Sequence, residues 1–535
     1  DYIYYNQNHP YAADKGRILD RNRFVMTNTI DLYANYNRKI GEDFELGAMV
    51  GHSFLKTRSR TSYIDAQNYP SPAFDVASVA ANIVDASAGL SEYAIESYFA
   101  RLSLAYKDRY VVNATIRTDG SSRFAPDCRW GWFPSVSVGW NVSNESFWNA
   151  EKTDLKIRAS YGRTGNQDGI SNYGWQALIS GGVNYGGQSG IAISSSGNDR
   201  LTWETADQYN AGFDLSFLGG KINMIADVYL KNTNNLLYSK PVHATTGETS
   251  ILSNIGSMRN KGVEFTINTH LNLGKVLWSS SFNIARNVNK LTSLLEDDLL
   301  SIGANRALKL GRTVGSWYIF RTDGIYQYDG EVPQALYDKG VRAGDVKYWD
   351  RNGDGNITDD DRIVTGNPNP KFSGGWNNTF KYKGLELSLF FTYSYGNDVY
   401  ASWMIPGSKP GHTRSLLKAY ADNRWTGPGT SDKYPRAIYS YSGWNGKNST
   451  MYLTDGSFIR LRSVTLGYTF PQRLVSKIHL KGLRVYAQGD NVFLCSRYPG
   501  WDPETSVNLD PRFYGEDNDG VPQPRIFKLG VNITF

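Results

Sequence analysis

Residues 350 to 361 read DRNGDGNITDDD. Asp350, Asn352 and Asp354 fall at positions 1, 3 and 5 of a twelve-residue loop, Asn356 offers its carbonyl at position 7, and Asp361 closes position 12. Oxygen donors at that spacing, with Gly355 at position 6 to allow the sharp turn, make an EF-hand-type loop for a hard cation, calcium above all. Thr358 takes position 9, which usually acts through a water. Asp361 stands where a longer Glu is usual, so it reaches the ion with one oxygen and loosens the site. An EF-hand also needs a helix on each side, yet the flanks AGDVKYW and RIVTGNPNPKF have no helical period. The competing reading is an Asp/Asn/Gly-rich turn that binds nothing.

No catalytic constellation accompanies this loop. His9, His52, His243, His270, His412 and His479 are dispersed, and HExxH, GxSxG and GxxxxGK[ST] patterns are all missing. The two cysteines, Cys128 and Cys495, lie too far apart in sequence for a CxxC site, and a disulfide framework is excluded. The chain therefore reads as a non-enzyme. A net charge of +6 from scattered Lys and Arg, with no basic block, argues against nucleic acid as a partner. The other binding candidates are loop aromatics, whose flat apolar faces and polar edges suit sugar rings. These are Tyr400, Trp403, Tyr441 and Trp444 between residues 397 and 456, with Trp175 and Tyr185 between 164 and 204. Their bland alternative is to pack the loops together.

The elements that must carry these loops are strands. Aromatics make up 14% of the chain and there are 53 Gly, a composition that favours strands and turns. From Phe527 to Phe535 apolar and polar residues alternate strictly, with Phe527, Leu529, Val531, Ile533 and Phe535 on one face. LELSLFFTYSY repeats the pattern: Leu387, Leu389 and Phe391 share a face and Ser388 takes the other. The template yields about fifteen strands, near 23–37, 45–57, 94–106, 109–118, 132–144, 154–163, 205–216, 221–231, 259–271, 276–288, 371–381, 385–396, 457–469, 483–492 and 525–535. Most have roughly the ten residues that a tilted strand needs to cross a bilayer. Short connections alternate with long ones, as in an outer-membrane barrel with short periplasmic turns and long extracellular loops. Strand-end aromatics such as Tyr106, Tyr110, Trp132, Trp278, Tyr393, Tyr468 and Phe535 fit interfacial girdles. No run approaches 18 apolar residues, so no transmembrane helix is present, and DYIYYNQNHP is no signal peptide. A mean hydropathy of −0.46 does not argue against a barrel, whose strands are polar on the lumen side.

With these elements in place, the chain resembles the C-terminal barrel portion of SusC/RagA-type TonB-dependent outer-membrane transporters. The resemblance rests on YKDRYVVNATIRTDGSSRFAPDCRWGWFPSVSVGWNVSNESF (106–147), LKIRASYGRTGNQDGISNYG (155–174), LTWETADQYNAGFDLSFLGGKINMIADVYLKNTNNLL (201–237) and NIGSMRNKGVEFTIN (254–268). GDVKYWDRNGDGNITDDDRIVTGNPNPKFSGGW (344–376), DGSFIRLRSVTLGYTFP (455–471) and the terminal FKLGVNITF extend it. The resemblance implies an all-β fold: a large antiparallel transmembrane β-barrel of about 22 strands, of which this chain holds about the last fifteen. It implies a plug and first strands outside this chain, a SusD-like lipoprotein lid, and coupling to TonB–ExbB–ExbD through an absent N-terminal part. The implied activity is energised import of oligosaccharides or peptides across the outer-membrane lipid. The 289–370 connection would then be extracellular, and calcium in it structural. On this view the first residues form a loop, and strands 23–37 and 525–535 pair with strands absent here rather than with each other, because an open edge is not tolerated in hydrocarbon. The alternative is a secreted, soluble β-rich glycan-binding or glycan-degrading protein with a calcium-stabilised module, whose apolar strand faces would be buried in a core.

Overall fold

The computed structural model describes residues 2–5, 16–149, 152–243, 245, 248, 250–294, 298–407, 415–438 and 443–535. Sixteen strands join one sheet in chain order: β1 (Tyr2–Tyr5), β2 (Arg17–Ile40), β3 (Phe44–Gln67), β4 (Asn82–Tyr106), β5 (Tyr110–Ser121), β6 (Trp130–Asn141), β7 (Thr153–Asn166), β8 (Glu204–Phe217), β9 (Ile222–Asn234), β10 (Ser257–Leu273), β11 (Val276–Ser293), β12 (Phe372–Tyr382), β13 (Leu385–Tyr395), β14 (Phe458–Thr469), β15 (Gly482–Ser496) and β16 (Ile526–Thr534). All fifteen expected strands are among them. The sixteenth, β1, corrects the expectation of a loop at the start: Tyr2–Tyr5 pairs antiparallel with Arg17–Asp20. Aromatic and β-branched residues favour this extended state, and the Tyr4 hydroxyl fastens it to the Pro72 carbonyl at 3.0 Å. No ladder joins β2 to β16.

The chain forms two compact units, residues 1–138, 160–207 and 233–255 in one and 139–159, 208–232 and 256–535 in the other. In the first, β2, β3 and β4 run 24 or 25 residues each and stay in register over nearly their full length. One face presents Leu46, Ala48, Val50, Leu102, Leu104, Val112, Ala114 and Ile116, and the other presents Ser53, Ser103, Asn113, Thr115 and Arg117. The β4–β5 hairpin turns on Lys107 and Asp108, both at φ 50°. Two left-handed residues in succession match the twist of a two-residue hairpin. A separate cluster of Phe124, Phe133, Ile170, Leu201 and Trp203 fills the base of the long connections here.

In the second unit the register from β11 to β16 aligns one apolar face. Leu385, Leu387, Leu389 and Phe391 sit beside Phe380 and Trp376 on one side, and beside Leu466, Val464 and Leu461 on the other. Val485 and Ala487 then pair with Val531 and Leu529, and Leu483 with Ile533. Ser388 and Asn532 take the opposite face, where Glu386 receives Arg484 at 2.8 Å and Lys381 at 3.0 Å. The expected alternation of Leu387, Leu389, Phe391, Val531 and Ile533 against Ser388 and Asn532 is thus the observed one.

The connections alternate short and long as expected except around β6, where the expected long connection, 122–129, is shorter than the expected short one, 142–152. The long ones in the second unit are folded structures of their own. Between β11 and β12 a four-stranded sheet (Leu299–Ile302, Arg306–Lys309, Trp317–Phe320, Arg362–Thr365) and a pair (Thr322–Ile325, Val346–Tyr348) enclose Phe320, Tyr326, Leu336, Val346, Tyr348 and Ile357. Asp398–Ala401 pairs antiparallel with Leu453–Asp455 and parallel with Glu516–Asp517, so the last two long connections share one small sheet.

Candidate functional site

The twelve-residue loop is framed by strands, not helices: Val346–Tyr348 precedes it and Arg362–Thr365 follows it. Ile357, its eighth residue, is buried in the core of this connection and anchors the loop from below. The acidic side chains shape the loop through backbone donors. Gly353 N–H and Gly355 N–H donate to the two oxygens of Asp350 at 2.7 and 2.8 Å. Asp354 N–H donates to Asn352 Oδ1 at 3.0 Å, and Asn356 N–H to Asp354 Oδ1 at 2.7 Å. Gly353 and Gly355 stand at φ 75° and 76°, which a Cβ would oppose. Asp361 has no exposed surface, and its carboxylate accepts from Arg351 N–H and Thr358 N–H, each at 2.8 Å.

Asp350, Asn352, Asp354 and Asp361 thus each fold the turn through nearby backbone donors, and each carboxylate retains acceptor capacity beyond the bonds described. Lys339 Nζ donates to Asn356 Oδ1 at 2.8 Å. Among the described residues, no three Asp, Glu, His or Cys side chains form a preassembled metal cage.

The loop aromatics divide by burial. Tyr400 is a correction: it has no exposed surface and is a core residue. Its ring stacks on Trp317 at 6.4 Å and meets Tyr452 edge-on at 6.2 Å, while its hydroxyl donates to Asn448 Oδ1 at 3.1 Å. Burial pushes the Tyr400 phenol well above its ordinary value. Trp403 is half-buried and donates its indole N–H to the Tyr498 hydroxyl at 3.1 Å. Trp444 packs edge-on against Tyr348 and donates to the Val346 carbonyl at 2.9 Å. Tyr441 lies outside the described residues. In the 164–204 connection, Trp175 donates to the Ser122 carbonyl at 3.3 Å, whereas Tyr185 is 92% exposed.

Residues that carry no local signal in sequence hold these loops together. Asp345 is buried and receives Arg436 through two bonds of 2.9 and 3.0 Å, with Asn445 Nδ2 adding a third at 3.0 Å. Arg306 is wholly buried over the Trp317 ring at 4.1 Å and donates to the Tyr514 carbonyl at 3.0 Å. Burial pulls its guanidinium down to about 10, so it remains a cation at neutral pH. Arg460, on β14, meets Asp502 at 2.5 Å and Glu504 at 2.7 Å.

That last anchor displays an aromatic the sequence did not single out. Trp501 is 78% exposed, yet Asp502 beside it is buried against Arg460, and Tyr498 three residues earlier is buried and donates to Asp517 Oδ2 at 2.5 Å. Its neighbours are thus fixed while the indole itself stands in solvent, with its flat apolar face uncovered.

A family model described as TonB dependent receptor-like, beta-barrel, matches residues 1–354. TonB-dependent receptor P26 of Formosa agariphila is 33% identical over 525 residues, covering 94% of this chain and 52% of that protein. TonB-dependent receptor SusC of Bacteroides thetaiotaomicron is 29% identical over 531 residues, covering 94% of this chain and 50% of that protein. Among solved structures, that of the RagAB peptide transporter matches with a TM-score of 0.86 at 22% identity, over 99% of this chain and 58% of that one. The chain spans about half the length of the curated relatives it matches.

Proposed function

The chain belongs to the TonB-dependent receptor-like β-barrel family of the Gram-negative outer membrane, and from that premise we propose that the protein imports oligosaccharides. Its relatives are receptors, not enzymes. Family membership also removes the soluble, secreted alternative. In the proposed orientation the short turns face the periplasm and the long, internally cored connections face outside. A SusD-like lipoprotein closes over them, and TonB–ExbB–ExbD supplies the energy. The observation that favours a glycan is Trp501, an exposed indole between two anchored neighbours. Trp403, Trp444 and Tyr441 are proposed as secondary contacts, Tyr400 as packing alone. Peptides are the competing cargo, because the RagAB neighbour is a peptide transporter.

Calcium is the proposed cofactor. Asp350, Asn352, Asp354 and Asp361 would hold it with the Asn356 carbonyl. The ion would staple the connection between β11 and β12 and supply no reactive chemistry. The test of the cargo is a growth and uptake panel on cells that express the full-length protein with its lipoprotein. Oligosaccharide-dependent accumulation that falls when Trp501 becomes Ala supports the reading. Accumulation of peptides alone would overturn it.

A further inference from the structure

On the apolar face of β3 and β4, two aromatic rows mark a band. The lower row is Phe44, Tyr106 and Tyr110, with centroids 4.6 and 6.4 Å apart. The upper row is His52, Tyr98 and Trp130, spaced at 4.8 and 6.1 Å. Gly120 makes the upper row possible, because a Cβ there would come within 2.8 Å of the Trp130 ring that lies across it. The rows are eight residues apart along the strands. That is about 26 Å of strand, and about 20 Å along the membrane normal at a tilt of 35–45°. Between them lie Leu46, Ala48, Val50, Ala100, Leu102 and Leu104, so the rows bracket a hydrocarbon-sized band.

Above the upper row the same face of β3 changes character. Lys56, Arg58 and Arg60 occupy three successive outward positions, and all three are exposed. Glu92 and Glu96 of β4 share this face, and Asp20 of β2 lies on it farther along, opposite Ile64. Glu92 meets Lys56 at 3.5 Å and Arg58 at 3.2 Å, and Glu96 accepts from the Tyr98 hydroxyl at 2.7 Å and lies 3.3 Å from His52. No acidic side chain pairs with Arg60 among the described residues. Its cross-strand neighbours are Phe24 and Leu90, both exposed apolar residues, and Arg58 is flanked by Met26 and Glu92. The patch is thus a row of three cations, partly offset by Glu92 at Lys56 and Arg58 and bordered on both sides by apolar residues at Arg60. It points away from the lumen-facing residues, so a solute passing through the barrel does not meet it.

We propose that Lys56, Arg58 and Arg60 bind the phosphate groups of a phosphorylated glycolipid in the outer leaflet, whose acyl chains run down over Phe54, Val50 and Ala48. The inference rests on the orientation proposed above, which puts the 56–60 level at the outer headgroups. Cations are tolerated at that height, whereas they are strongly disfavoured at the midplane. An amphiphile also matches the mixed surface better than a free anion does, because Phe24, Met26 and Leu90 gain apolar contact.

The test uses the full-length protein in neutral detergent, titrated with bis-phosphorylated lipid A and followed by native mass spectrometry. Each basic residue near an anionic lipid contributes about a fivefold factor. The K56Q/R58Q/R60Q variant should therefore bind lipid A about a hundredfold more weakly, while a zwitterionic phospholipid of matched chain length binds both proteins alike. Glu92→Gln, which removes the competing carboxylate, should raise occupancy. That variant and Arg60→Gln alone decide the matter if the triple variant loses its heat-modifiable folded band. Equal retention by wild type and these variants overturns the proposal. So does displacement of lipid A by millimolar inorganic phosphate, which would mark a soluble-phosphate site. Transport activity separates this test from the cargo assignment, since lipid retention does not depend on the solute imported.

Discussion

Replacing Arg460 with Met should open the connection between β15 and β16 without disturbing the strands that bear it. Arg460 and Asp502 are 3% and 4% exposed at their side chains, and their closest approach is 2.5 Å. Removing one partner of a buried pair typically costs about 3–5 kcal/mol, because the other charge stays buried and unmatched. Asp502 would keep two backbone donors, Glu504 N–H at 3.0 Å and Gln523 N–H at 3.3 Å, and Glu504 would keep Arg462. These compensations place the loss near the lower bound, ~3 kcal/mol, or about a hundredfold in the local opening constant. Hydrogen exchange reads that constant directly. Thr505 N–H, which donates to the Asp502 carbonyl at 3.3 Å, and Val507 N–H, which donates to the Glu516 carbonyl at 2.8 Å, should exchange about a hundredfold faster. Amides in the β14–β15 ladder should not change. Adding Asp502→Asn to the variant should recover part of the protection by removing the stranded charge. A change of less than threefold at Thr505 and Val507 would show that the pair does not hold this loop.

Asp350→Ala with Asp354→Ala should increase protease cleavage between β11 and β12 and leave the barrel's heat-modifiable band in place. Chelation should do the same to the wild type, and indifference to both treatments would dismiss the calcium site. Leu389→Arg places a cation on the apolar face of β13, and should lower folding free energy into bilayers by about 2–4 kcal/mol if that residue lies near the midplane. An unchanged denaturant midpoint would count against a lipid-facing surface there. Trp501→Ala should weaken glycan binding by about 2 kcal/mol, as loss of a central aromatic contact does, with no change in thermal melting. Tyr400→Ala should do the reverse, because its ring is core: loop protection falls, and glycan affinity in the folded fraction is retained.

The strands were legible because a membrane barrel leaves a period-2 record wherever one face meets lipid and the other water. Leu385 to Tyr395 and Phe527 to Phe535 show it at its clearest. Tyr2–Tyr5 escaped because four residues are too few to display a period. The folding of the 350–361 loop was legible because all its donors are local. The sorting of loop aromatics was not, since burial is decided by partners far away in sequence. Tyr400 is covered by Trp317 and Tyr452, and Trp501 is displayed because Arg460, 42 residues before Asp502, fixes its neighbour. Asp345 and Arg436 stand 91 residues apart and leave no mark that composition or spacing detects.

Energised import can be followed as accumulation of a labelled oligosaccharide in cells bearing the full-length protein and its lipoprotein, with and without TonB. Surface binding should persist without TonB while accumulation falls at least about tenfold, since binding at the outer loops and passage through the barrel are separate steps and only the second is energised under the proposed import. Accumulation that proceeds undiminished without TonB would contradict it.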